Sequence, residues 1–185
     1  MPHSAAPTLE GLLDCRCDVP GCNQLLDAHL ADLYTALKAG HLDRCLFHDA
    51  LDLPFGLFKK IVRSKDVWCY AGWSKETGTP LALALLDRFQ GRTAYLHFTF
   101  FRGEGFERRI EIGRAFMGFI FTHGSNLACL LALTPVKFRH SWRYGLDLGF
   151  ERLGVIPGAC TLADRRNGTL ACADGMLLKL DNPNL

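Results

Sequence analysis

Three apolar runs, Val67–Trp73, Pro80–Arg88 and Thr93–Phe101, are parted only by the turn-forming Lys75–Thr79 and Gln90-Gly91. Connections this short join antiparallel neighbours, because a parallel pair needs a crossover of a dozen or more residues. The middle of the chain is therefore expected to be an antiparallel meander. It commits the protein to a sheet that the flanking segments must cover.

Those flanks are mostly helical in period. Leu26, Leu30, Leu33 and Leu37 follow helix spacing, with Asn23 as the expected N-cap and Gly40 as the stop. Asp52-Leu53-Pro54 opens a second helix carrying Phe55, Phe58 and Val62 on one face. Ile112, Phe116, Phe119 and Ile120 restore the helical period after the meander, and Gly124 is the expected stop. Leu127–Leu133 is nearly unbroken apolar sequence, as in a strand covered on both faces. Pro135–Leu148 is expected to be a helix ended by Gly149, and strands are expected over Phe150–Ile156 and Asp174–Leu180, with a turn at Asn167-Gly168. Residues 1–20 show no sustained period and are expected to be a loose arm before a single domain over 21–185. The fold class is α+β around one mixed, mostly antiparallel sheet.

At 185 residues and 49% apolar content the chain can bury a sizeable core. A formal charge of +2 argues against a nucleic-acid partner. Local charge is less even: Arg102, Arg108, Arg109 and Arg114 crowd one region, and Lys137, Arg139, His140 and Arg143 another. Two basic clusters on a near-neutral chain suit a compact anion. No run approaches the roughly 18 apolar residues of a membrane helix, and no export signal is evident, so no membrane partner is expected. The eight cysteines are accordingly expected to be thiols in a cytoplasmic protein. Cys15, Cys17 and Cys22, with His29, His41 and Cys45 downstream, lack the paired Cys-x2–4-Cys spacing of structural zinc sites, and no metal is expected.

Three stretches carry chemistry. Along Thr93–Phe101, Ala94, Leu96, Phe98 and Phe100 point one way and Tyr95, His97, Thr99 and Phe101 the other, a polar face suited to a cleft. The loop and helix start that follow hold arginines and glycines where backbone N–H groups are free to meet an anion. The segment Tyr144-Gly145-Leu146-Asp147-Leu148-Gly149-Phe150 then ends a helix and turns into a strand. In this order the elements resemble the GNAT acyl-CoA N-acyltransferase superfamily, in the divergent form met in bacterial and prophage genomes.

The resemblance implies helices on both faces of the sheet and a V-shaped splay between the fold's fourth and fifth strands. Acetyl-CoA or another acyl-CoA would be the co-substrate, its pantetheine arm running along Phe98, Thr99, Phe100 and Phe101. The family's phosphate loop, Arg/Gln-x-x-Gly-x-Gly/Ala, fits in two registers. One is Arg102-Gly103-Glu104-Gly105; the other is Arg108-Arg109-Ile110-Glu111-Ile112-Gly113, followed by Arg114, and it matches the family's helix opening better. Glu111 repels a phosphate unless it points away or an arginine offsets it.

By the same resemblance His97 is the candidate general base and Tyr144 the candidate acid. From the residues alone, His97 reads first as a histidine bonded across the sheet, and Tyr144 as a tyrosine packed on the sheet edge. The family's tyrosine lies four residues before the Gly, where this chain has Gly145, and Phe138 stands where an Asn often opens the helix. Activity implied is transfer of an acyl group to a primary amine of a small molecule or protein. The alternative is a GNAT-fold binding or assembly module, or an acyl-CoA sensor, without catalysis. If the cysteines are thiols, adding a reductant leaves the thermal midpoint unchanged; a fall would reveal a structural disulfide.

Overall fold

Leu13, Cys15, Cys17 and Val19 alternate with Asp14, Arg16 and Asp18, the period of a half-buried strand once cysteine is counted as a small hydrophobe. In the computed structural model, which describes residues 13–103, 106–123 and 126–185, this segment is strand β1 (Leu13–Val19). It pairs antiparallel with β3 (Trp68–Ser74) from Leu13 opposite Ser74 to Asp18 opposite Cys69. The loose arm expected over residues 1–20 is thus corrected from Leu13 onward; residues 1–12 lie outside the described residues. A turn at Pro20-Gly21 leads into the two-residue β2 (Cys22–Asn23).

Helix α1 (Asp27–Ala39) buries Leu30, Leu33 and Leu37. Its N-cap is Leu26 rather than Asn23, which lies in β2. His29 performs the capping from the third helical position, its Nδ1 accepting the Leu26 N–H at 3.0 Å. The short α2 (Asp43–Leu46) and α3 (Phe55–Val62) follow, α3 opening after Pro54 as its fixed φ favours. Strands β3, β4 (Pro80–Gln90) and β5 (Thr93–Phe100) form the expected meander.

Helix α4 (Arg109–His123) returns the chain to β6 (Cys129–Pro135), which lies parallel to β5. Helix α5 (Arg139–Leu148) then leads to a long hairpin, β7 (Glu151–Asp164) and β8 (Thr169–Asp181), turning at the expected Asn167-Gly168. Pro135 ends β6 opposite Gly175 instead of opening the helix. A proline satisfies either place, because a strand end also tolerates a missing N–H. Gly149 does stop α5, in the left-handed conformation at φ +107°, and the Phe150 N–H reaches back to Gly145 O.

The eight strands run in the order β2-β1-β3-β4-β5-β6-β8-β7. On one face α1, α2 and α3 cover Cys69, Ala71, Trp73, Leu83 and Leu85; on the other α4 and α5 cover Tyr70, Ala82, Ala84, Leu86 and Leu96. The fold is therefore α+β with helices on both faces. Among the described residues no helix is long and apolar enough to cross a membrane.

The hairpin departs most from the expected boundaries. It continues past β6 by five further residue pairs, Cys160–Asp164 with Thr169–Ala173, beyond an irregularity around Pro157-Gly158. This distal part reaches back to the loop around α2. Ala163 N–H bonds His48 O at 2.7 Å, His48 Nδ1 lies 2.7 Å from Thr161 O, and Arg165 bonds both Ala50 O and Asp43. Asp43 is 3% exposed, so its two cations, Arg165 at 2.7 Å and Lys38 at 3.2 Å, are what make burial tolerable.

Burial opposes ionisation of Asp43, but the hydrogen bonds and charges of Arg165 and Lys38 outweigh it and hold the carboxyl below its usual range. The depressed value makes this stabilisation fully present above the unfolded carboxylate pKa of about 4 and lost as pH falls through the folded value. Thermal denaturation between pH 7 and 3 is expected to show that acid loss, reduced in Asp43→Asn. Arg165→Met is expected to cost about 2 kcal/mol, below the ~3–5 kcal/mol of a fully orphaned buried charge because Lys38 remains.

Candidate active site

The ladder between β5 and β6 is the site's frame. It holds only at Thr93, Ala94 and Tyr95, opposite Cys129, Leu130 and Leu131. Beyond Tyr95 and Leu131 both strands continue, β5 paired to β4 and β6 to β8, while their facing edges separate. This is the V-shaped splay. Its backbone polarity follows from one bond. Phe101 N–H donates to Leu81 O on β4, so alternation directs the N–H groups of Leu96, Phe98 and Phe100 toward β6 and into the opening. Phe98 is the partly buried member of this stretch; Thr99, Phe100 and Phe101 are buried.

His97 stands two residues past the last β5–β6 pair, with its side chain on the α1–α3 face opposite Leu85. Its Nε2 lies 3.2 Å from Asp87 Oδ1 across the β4–β5 ladder, and Arg88 Nη2 is 3.3 Å from the same nitrogen. Asp87, an acceptor, calls for a proton on Nε2, whereas Arg88, a donor, calls for a lone pair there. Burial works against the Asp87 charge, yet the bond to His97 and the neighbouring Arg88 keep its carboxyl below the usual range. Arg88 adopts a left-handed φ of +48° at the β4 irregularity, with its guanidinium 4.0 Å above the Tyr95 ring. The histidine is thus both bonded across the sheet and open to a cavity of about 290 Å³, whose wall includes Asp87 and Asp49. Asp87 and Asp49 were not singled out from the sequence. The Asp87–His97 cross-strand register was the available signal.

The anion-binding candidates lie at the start of α4. Arg108 forks onto Glu111 at 2.9 and 2.7 Å, which offsets the carboxylate that would repel a phosphate and holds its pKa down. Arg109 bonds Phe106 O and stacks over the Phe106 ring, and Arg114 bonds Asp147 O. An open concavity of about 400 Å³ borders Arg108, Ile110, Glu111 and Arg114. A 3-10 turn over Phe106–Arg108 runs directly into the 15-residue α4, whose N-terminal end carries the positive pole of the helix dipole.

Gly113 has a different task. It is the fifth residue of α4, inside the helical ladder, and Ile112 before it is buried. A Cβ there would stand 2.6 Å from both Leu148 and the Tyr144 hydroxyl, so the glycine permits close approach of α4 and α5. The Arg108–Gly113 register therefore loses its terminal glycine as a phosphate contact. The other register, starting at Arg102, occupies the loop between β5 and α4, although Glu104 and Gly105 lie outside the described residues.

Tyr144 lies on the α4–α5 face of the sheet. It stacks on Phe98 at 6.0 Å, and its hydroxyl donates to Arg109 O at 2.8 Å. Burial pushes its phenol well above the usual range. Phe98 and His97 point to opposite faces of β5, so the structure does not bring Tyr144 and His97 together. The cysteines form no metal cluster: among the described residues no group of three or more His, Cys, Asp or Glu is placed to hold a metal. Cys17 and Cys22 are neighbours, Sγ to Sγ 3.1 Å, whereas His29 contacts Arg16. Gly113→Val is expected to force α4 from α5 and cost about 1–3 kcal/mol, the usual range for overpacking. A thermal midpoint equal to the parent's would show that the helices do not depend on this close approach.

No family model matches the sequence, and no curated protein does. Solved structures do. An N-acetyltransferase from Staphylococcus aureus Mu50 superposes with a TM-score of 0.62 at 15% identity, covering 91% of this chain and 97% of the other. A spermidine N-acetyltransferase from Vibrio cholerae, in complex with CoA and spermine, gives 0.66 at 13% identity, covering 91% and 95%. The ribosomal-protein-S5-alanine acetyltransferase of Vibrio fischeri gives 0.61 at 15% identity, covering 93% and 94%. With the splay between its central parallel strands and helices on both faces, this chain has the fold of the GNAT acetyltransferases.

Proposed function

We propose that the protein is an acyl-CoA-dependent N-acyltransferase, acetyl-CoA being the expected donor and a primary amine the acceptor. The observation that carries this reading is the splay: two continuous strands whose facing edges stop pairing after three residues. The Leu96, Phe98 and Phe100 N–H groups left there need acceptors, and an extended amide-bearing arm supplies them. The residues present fit acyl-CoA. Beside the splay, the α4 start offers the positive pole of its helix dipole and the cations Arg108, Arg109 and Arg114 to a pyrophosphate.

Bound acyl-CoA brings an activated thioester carbonyl. The chain orients it and manages protons. His97, held by Asp87, takes a proton from the incoming ammonium on the α1–α3 face. Tyr144, engaged with Arg109 O, is a positioning residue that ties α5 to the start of α4. That same bond, with Gly145 where the fold's relatives would carry tyrosine, favours the second reading, a module that binds acyl-CoA without turnover.

Calorimetry with acetyl-CoA is expected to show one site per chain, weakened about 10- to 100-fold by Arg109→Glu, since a lost charged hydrogen bond is worth ~1.5–3 kcal/mol. Release of free thiol in the presence of an amine is expected to fall about 10²- to 10⁴-fold in His97→Ala at neutral pH. Binding without thiol release on any amine would establish the second reading. Absence of acetyl-CoA binding would overturn both.

A further inference from the structure

The cavity beside His97 is built unevenly. Phe47, Ile61, Val67 and Leu85 make an apolar wall, drawn from the loop after α2, from α3, from the residue before β3 and from β4. Its polar groups are Asp49, Asp87 and His97. Asp87 is already shared with His97 and Arg88. Asp49 makes no hydrogen bond or ion pair among the described residues, so one carboxylate at an apolar cavity lacks a cation. Asp49 is exposed at the cavity's edge, where its carboxylate is free to meet a ligand ammonium, and the half-buried Asp87 deeper in the wall adds a second negative charge.

Resting on the transferase reading above, we infer that the acceptor is a small primary amine with an apolar body, its ammonium held by Asp49 and Asp87 beside His97 and its body against Phe47, Ile61, Val67 and Leu85. Size and polarity limit the class. About 290 Å³ is room for roughly ten times the ~30 Å³ share of a water molecule, so the body has roughly ten heavy atoms. A polyamine of that size carries further ammonium groups, which the apolar wall would strip of water without repayment. A peptide amino terminus brings backbone amides that meet the same wall. Transfer to the inferred acceptor forms one N–C bond and breaks one C–S bond. Of the two protons the ammonium sheds, one ends on the departing sulfur and one is released to solvent.

The test compares 2-phenylethylamine and hexylamine with spermidine and with a short peptide bearing a free amino terminus. Each is measured for binding by calorimetry and for thiol release with acetyl-CoA. The first two are expected to show kcat/KM at least tenfold above the others. Asp49→Asn is expected to weaken 2-phenylethylamine binding tenfold or more. Ile61→Trp, at a half-buried position and checked for folding by circular dichroism, is expected to abolish it by filling the cavity.

Preference for spermidine or peptide, or affinity for 2-phenylethylamine unchanged in Asp49→Asn, would overturn the inference while leaving the transferase reading intact. Asp49-dependent binding of 2-phenylethylamine with no thiol release would support the ligand class and overturn the transferase reading instead.

Discussion

Everything distinctive in this molecule depends on one interrupted ladder. A parallel pair of strands that stops after three residues leaves backbone groups facing a gap, and each one buried without a partner costs about 1–3 kcal/mol. Such a gap persists only if the rest of the fold holds the strands apart. Here β5 is fastened to β4 and β6 to β8 along their lengths, so neither edge is free to swing. The stacked pair Phe98–Tyr144 sits on one face beside the opening, backed by Phe116 and Leu148. At the far end the β7–β8 hairpin crosses to the α2 loop and is pinned by His48 and by Arg165 on Asp43. The opening is therefore spanned by a tether with a buried charge at its contact.

The strand that borders the gap also divides the labour. Alternation sends Leu96, Phe98 and Phe100 into the core under α4 and α5, and Tyr95, His97 and Thr99 to the face under α1–α3. Contacts that shape the α4 start, among them Gly113, Tyr144 and Arg109 O, lie on the first side. The Asp87–His97 pair and its cavity lie on the second. The Asp87–His97 pair and the arginine-bearing start of α4 thus lie on opposite sides of β5 without competing for the same space.

Much of this was legible in the residues. The meander, both large helices around it, the β6 run and the Gly149 stop follow from period and turn chemistry, which act over a few residues. Elements were missed where a residue type carries two meanings. Cys15 and Cys17 were read as thiols and not as the apolar half of a strand period. Pro135 was read as a helix start although it suits a strand end. Gly113 was read as part of an anion cradle, while its missing side chain serves the contact with Leu148 and Tyr144. The distal hairpin carries little apolar alternation because much of it is exposed, so nothing local announces its length.

From α1 onward, α2 apart, the sequence by itself determined the kind and order of the elements, and through them an α+β domain around one mostly antiparallel sheet, because hydrophobic period and turn residues are local constraints. It also placed His97 on the polar face of its strand. Tertiary structure alone decided how far β5 and β6 pair, that Asp87 rather than Tyr144 is the neighbour of His97, and that residues 43–50 and 160–165 meet. Those facts concern residues from 10 to more than 100 positions apart. Their contacts are set by register and packing in space, and no local pattern encodes them.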